Sequence, residues 1–310
     1  MSHPLLHPSH VALMEAQAAA PRAPTWPVFT GTPTFVGTSS SGVSVWWDKS
    51  LGAPGLKNAQ DLLADADRVR AANDAMFGTQ GGPVNVLVWA LNGPTDGTGG
   101  ADHASCDYAT GGNIEVDASF GDSMRCSALF EAELSECSMD NNLCGLSTGE
   151  ALSRWAALWI GNSALADFTT VPDWAKSEPD WVNKTQDTDQ NPVSIGCGMA
   201  FLSWMQRVGY PMNVIAPAMV ALGSSGTLAE LYASLTGDAA ANAWAKFKVA
   251  CATVQLTTED PFGALAGSEP VPQPKPPPTP APQPAPAPSP MIHLHGALPA
   301  SGPSGGTGIM

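Results

Sequence analysis

The period of the hydrophobic pattern changes near residue 120. This change restricts the chain to folds that combine a sheet with a separate helical layer. Between Thr25 and Phe120 the apolar residues collect in short β-type runs, Val28–Phe35, Val43–Trp47, Val84–Ala90 and Asn113–Ser119. Gly, Pro and Asn separate these runs, as turn chemistry requires. One helix is expected among them, over residues 58–76, where Leu62, Leu63, Ala66, Val69 and Ala72 fall at i, i+3, i+4 spacing. Asn58 suits its N-cap and Gly78 its stop. From Asp122 to Val254 the pattern is helical, with segments at 123–139, 148–161, 194–209, 213–222, 226–235 and 238–254. Strands followed by helices predict an α+β fold, with a β-rich N-terminal half and a helical C-terminal lobe. There is no internal repeat.

Composition sets the boundaries. Residues 1–25 read as a flexible N-terminal arm and 26–256 as a single α+β body. Residues 257–310 read as a disordered tail, beginning with a transition over 257–269. Eleven prolines fall between Val271 and Pro290, and Gly/Ser-rich sequence follows. Such a tail favours polyproline II and suits docking of a partner. The chain has 13 basic and 28 acidic side chains, a net charge of −15. A nucleic-acid duplex binder needs Lys and Arg to neutralise phosphates, so nucleic acid is excluded as a partner. No apolar window is long enough to span a membrane. The first residues lack a basic region followed by an apolar stretch, so no standard signal peptide is recognised. The acidic, Lys-poor composition leans toward a secreted or periplasmic protein. Six cysteines (106, 126, 137, 144, 197 and 251) allow three disulfides. Cys137 and Cys144 bracket a short SMDNNL segment and form a candidate disulfide loop.

Chemistry concentrates in a few places. The helix at 123–139 carries Glu131, Glu133 and Glu136. At about 100° per residue, Glu133 and Glu136 share a face and Glu131 points away. No Lys or Arg stands four residues from any of them, which weakens the alternative of an exposed, salt-bridged face. Glu150 follows Ser147 in an S-x-x-E pattern, which a capping box would explain. His103 is the one histidine of the body, on an expected loop with Asp102, Cys106 and Asp107, where it is either a scaffold residue or a ligand or base. Glu115 and Asp117 share one face of a strand, as solvent-facing residues of an edge strand would. The DTDQN segment at 187–191 opens like an EF-hand loop, but Pro192 and Gly198 occupy the positions that need Gly and Glu. The tryptophans, including Trp155 and Trp159 at i, i+4, read as core, with a carbohydrate platform as the alternative. There is no P-loop or CxxC pair.

The glutamate helix, the GEALSR helix opening at 149–154 and the stretch GCGMAFLSWMQ…LAELYASLTG…AWAKFK resemble gluzincin-type zinc metallopeptidases, in the layout of the bacterial and plant basic secretory proteins. The resemblance covers roughly residues 80–250. The family's H-E-x-x-H helix falls on Ala132–Glu136. Glu133 stands at the general-base position, while Ala132 and Glu136 replace the two histidines. The third-ligand position falls on Glu150. The resemblance implies Glu133 as base and a divalent metal (Zn, Ca or Mn) at the positions of Glu136 and Glu150. His103 matches no position of the family's motif and is the candidate for a further metal ligand and a second catalytic group in a rebuilt, carboxylate-rich site. The expected function is a hydrolase acting on a protein, peptide or glycan. The alternatives are an inactive binding protein on the same scaffold and a metal-free, two-carboxylate glycosidase.

Overall fold

Five strands form one mixed sheet in the order β1-β2-β3-β5-β4. They are β1 (Thr34–Thr38), β2 (Val43–Trp47), β3 (Val84–Trp89), β4 (Ala101–His103) and β5 (Asn113–Asp117). β2, β3 and β5 run parallel at the centre, and β1 and β4 are antiparallel edges. The computed structural model describes residues 21–265, apart from 110, 162–164, 166, 167, 169 and 189. Most of the expected N-terminal arm, and the tail from 266 on, lie outside the described residues. The α+β expectation holds: the sheet occupies the N-terminal half and helices fill the C-terminal half.

The central strands bury alternate side chains on two faces, which is why β2 and β3 read as nearly unbroken apolar runs. Val43, Val45, Val86, Val88, Ile114 and Val116 face helices α1 (Gly52–Phe77) and α2 (Ser123–Cys137). On the opposite face, Trp46 and Leu87 pack with Trp26 from the segment preceding the sheet. β5 lies between β3 and β4, so it is not the expected edge strand. Glu115 and Asp117 are correspondingly buried rather than solvent-facing. Each fastens a neighbouring loop to the sheet through backbone N–H groups. Glu115 Oε1 accepts from the N–H groups of Val28 and Phe29, at 3.2 and 2.7 Å. Asp117 Oδ2 accepts from Gly97 and Gly99 N–H, at 2.9 and 3.1 Å.

α1 begins before the expected cap. Asp48 caps a 3-10 turn (Lys49–Leu51) by accepting from Ser50 N–H at 2.9 Å, and the turn runs directly into the helix. Pro54 is tolerated in this first turn, where its missing N–H costs nothing. Asn58 is instead buried inside the helix. Its amide donates to the Ser119 carbonyl at 2.9 Å and accepts from Ser119 N–H at 3.0 Å, joining α1 to the end of the sheet. Gly78 ends α1 in the left-handed region at φ 66°, as expected. Asn58→Ala leaves the buried Ser119 N–H without its acceptor, while the Ser119 carbonyl keeps a bond from Asp122 N–H at 3.1 Å, and it is expected to destabilise the fold by about 1–3 kcal/mol. Denaturant unfolding checks this, and an unchanged midpoint would contradict it.

The helical lobe follows as α3 (Ser147–Ile160), α4 (Val171–Ala175), α5 (Pro192–Arg207), α6 (Met212–Ala221), α7 (Leu228–Thr236) and α8 (Ala243–Cys251). Its core is aromatic: Trp174 stacks on Phe247, and Trp204 on Tyr232. Trp155 is fully buried with its indole N–H on Gln206 Oε1 at 2.6 Å. α3 and α5 approach closely where Gly198 packs on Ala151, leaving no room for a Cβ. The DTDQN segment leads into α5, with Asn191 as its N-cap and Pro192 in the first turn. The body continues past the boundary expected at 256. Glu259 is buried and accepts from Thr170 N–H and Oγ, at 2.9 and 2.8 Å.

Candidate metal centre

α2 carries the glutamates, and its packing divides them. Its apolar stripe, Leu129, Phe130 and Leu134, faces the sheet. This rotation sends Glu131 into the protein and Glu133 and Glu136 toward a cleft of about 310 Å³. None of the three forms an exposed face. The cleft is also lined by Gly100–His103 of the β4 edge, by Cys144, by Glu150, Arg154 and Leu158 of α3, and by Phe168 and Met199.

Two local features bring the remaining groups in. β4 pairs with β5 through His103 and Ile114, which fixes His103 at the rim above α2. After α2 the chain reverses through Asp140 and Asn141, both left-handed at φ 51° and 62°. Asp and Asn tolerate this conformation better than most residues. Asn141 N–H then donates to the Cys106 carbonyl at 2.9 Å, so this turn docks on the segment after His103. The S-x-x-E pattern at 147–150 does not form a capping box. Ser147 Oγ accepts from Gln186 N–H at 3.1 Å, and Glu150 faces the cleft. A capping box does occur elsewhere, between Thr227 and Glu230 of α7.

His103, Glu133, Glu136 and Glu150 therefore converge. His103 Nδ1 donates to the Ser105 carbonyl at 2.8 Å. Nε2 lies 3.0 Å from Glu136 Oε2 and 3.7 Å from Glu133 Oε2. The Ser105 carbonyl can only accept, so Nδ1 keeps its proton and Nε2 is the nitrogen offered to the cleft. A neighbouring acceptor of this kind commonly orients a metal-binding histidine. Glu150 is held by Arg154, whose Nε donates to Oε1 at 2.6 Å, and it lines the same cleft as Glu136.

Carboxylates outnumber cations in this cleft, and the protonation states show the strain. Burial, reinforced by the Glu136 charge, raises Glu133 well above the ordinary carboxyl range. Burial, opposed by Arg154 and reinforced by Glu136, pushes Glu150 up to about 7. Burial would also raise Glu136, but the hydrogen bond and charge of His103 bring it below its ordinary value. Burial opposes the His103 imidazolium, yet hydrogen bonds to Cys137 and Glu136 and the nearby carboxylates push it up to about 12. The cluster thus retains protons to limit its own repulsion. A divalent cation can replace those protons and draw the carboxylates into their charged form.

One set of donors is closer still. The ligand atoms of His103, Cys106, Glu136 and Cys144 all lie within 4.8 Å of one another, so these four side chains could hold a metal ion. Neither cysteine was expected here. The proposed Cys137–Cys144 loop is corrected: Cys144 is paired with Cys106 at a Cα–Cα distance of 5.9 Å, while Cys137 is a buried free thiol beside His103. The H-x-x-C spacing from His103 to Cys106 is the sequence signal that could have pointed to this set. Arg154 was also missed, although it stands four residues after Glu150 on one helix face. No family model, no curated protein and no solved structure matches the chain.

Proposed function

We propose that the protein is a divalent-metal-dependent hydrolase of metallopeptidase type. The observation that carries this reading is the convergence of His103, Glu133, Glu136 and Glu150 in one cleft. His103, Glu136 and Glu150 would hold the cation. Nitrogen and carboxylate donors suit Zn²⁺ or Mn²⁺, and a carboxylate-rich set also accepts Ca²⁺. When bound, the metal supplies positive charge that acidifies a water and polarises a carbonyl. The protein's own groups do the rest. Glu133, released from proton retention by the added positive charge, accepts the proton of the attacking water. His103 is fixed by the Ser105 carbonyl and cannot rotate away. Arg154 keeps Glu150 oriented toward the cleft.

A peptide or protein is the favoured substrate class. β4 is a short edge strand that borders the cleft, and an extended peptide can add to such an edge by main-chain hydrogen bonds. The Cys106–Cys144 pair suits a secreted or periplasmic setting. Among the described residues no helix is long and apolar enough to cross a membrane.

A glycosidase is the second reading. It is favoured by the opposite displacements of Glu133, upward, and Glu136, downward, since an acid and a base need different protonation states. Chelation separates the two. Hydrolysis of an unfolded protein substrate is expected to stop with a strong chelator and to return when Zn²⁺ or Mn²⁺ is restored. Chelator-resistant turnover of a glycan would favour the second reading. Absence of any turnover by the folded, metal-loaded protein would leave the binding-protein alternative.

A further inference from the structure

Two of the four closest donors, Cys106 and Cys144, are at disulfide distance, so they are consumed by one another or available to a metal, never both. We propose that the thiol–disulfide state of Cys106 and Cys144 switches this centre between a closed, thiolate-containing zinc site and an open, carboxylate-rich one. The proposal rests on the metal-centre reading above.

In the reduced protein the two thiolates join His103 Nε2 and a Glu136 oxygen. Two sulfurs, one nitrogen and one oxygen complete a four-coordinate set, and thiolates select zinc over the harder ions. A set of four protein ligands leaves no position for water or substrate, which is the signature of a structural site. In the oxidised protein the sulfurs bond to each other. His103 and Glu136 then remain with Glu150, three protein donors and an open position, as catalysis requires. Oxidation therefore opens the centre and reduction closes it.

The surrounding backbone makes the switch reversible without unfolding. The Asn141–Cys106 main-chain bond at 2.9 Å and the His103–Ser105 bond at 2.8 Å hold the two cysteine segments independently of the S–S bond. Cys144 Sγ stays 3.8 Å from Glu136 Oε2, within reach of a shared cation. Cys144 also lines the cleft, where a small exchanging molecule can reach it. Opening needs a low-molecular-weight disulfide, RSSR. The two thiolates give it two electrons, the Cys106–Cys144 bond forms, both sulfur–zinc bonds break, and two RS⁻ leave with the zinc. A dithiol reductant runs the reverse step: it becomes a disulfide and leaves the two cysteines as thiols, which lose their protons on binding zinc.

The test titrates the full chain with Co²⁺, a spectroscopic substitute for zinc, before and after reduction with a phosphine, followed by zinc competition with a chromophoric chelator. The reduced protein is expected to show thiolate-to-cobalt charge-transfer absorption and tetrahedral d–d bands. The oxidised protein is expected to lack both. Zinc is expected to bind the reduced form at least about tenfold more tightly, since even losing an outer partner of a ligand costs 10–100-fold. Reduced Cys144→Ser and Cys106→Ser each weaken the charge-transfer band, the double variant loses it, and Cys137→Ser keeps it in full. Cobalt binding without thiolate bands in reduced protein, or equal zinc affinity in both states, would overturn the proposal. A thiolate site on a protein with no hydrolysis would remove only the hydrolase reading. Metal-dependent hydrolysis without thiolate bands would remove only the switch.

Discussion

Glu133→Gln is expected to lower metal-supported hydrolysis by about 10²–10⁴-fold while leaving the metal bound, the range for loss of a positioned general base. Gln preserves the size of the side chain and its hydrogen-bonding reach but cannot accept a proton. Glu133 is suited to the role by location and environment. It is 3.7 Å from His103 Nε2, within the cleft, and its carboxyl is raised by burial and by Glu136. Positive charge arriving beside it shifts it toward ionisation, so the base becomes competent when the metal site fills. The assay compares kcat/KM at saturating metal with metal content per chain. An unchanged rate would remove Glu133 from the mechanism. A loss of metal would make it a ligand instead.

Glu131→Met is expected to stabilise the protein at neutral pH by about 1–3 kcal/mol, the cost of leaving a buried polar group unsatisfied. Glu131 is wholly inaccessible, and neither carboxyl oxygen has a hydrogen-bond partner among the described residues. The nearby Arg68 is engaged by Asp65, at 2.6 Å. Burial therefore raises the Glu131 carboxyl well above its ordinary 4.5. The folded state holds this proton more tightly than the unfolded chain does. The stability tied to it is fully present below 4.5 and is lost as pH rises toward the folded value. Met has similar length and no charge to bury. The variant should gain about 2–4 °C in Tm per kcal/mol for a body of this size. Its advantage over the parent should grow between pH 4.5 and neutrality. Glu115, Asp117 and Glu150 are also raised, and they contribute the same slope to both proteins, so the difference isolates Glu131. An equal or lower Tm across that range would contradict the account.

The fold class was legible because the hydrophobic period changes cleanly from β-type to helical. β2 is found at Val43–Trp47, as read, and Gly78 stops α1. What escaped was set by tertiary context. β4 is too short for a period-two pattern to register, so the GGADHASCD stretch reads as a loop although His103 is paired in the sheet. Asn58 has the chemistry of a cap, but its partner is Ser119, far along the chain. Within the site, helical spacing separates Glu131 from Glu133 and Glu136. That His103 and Glu150 meet them depends on the β4 edge and on the turn at Asp140 and Asn141. The same turn decides which cysteine Cys144 meets. Sequence proximity favoured Cys137, but helix geometry turns that thiol into the body beside His103.

Metal content per folded chain, measured by elemental analysis on protein purified without chelator or nickel, tests the central claim most directly. One stoichiometric equivalent in the parent, lost in Glu136→Ala with the circular dichroism spectrum preserved, is the result the account predicts. A well-folded parent that takes up no metal even when Zn²⁺ or Mn²⁺ is supplied, or a Glu136→Ala variant that keeps a full equivalent, would contradict it.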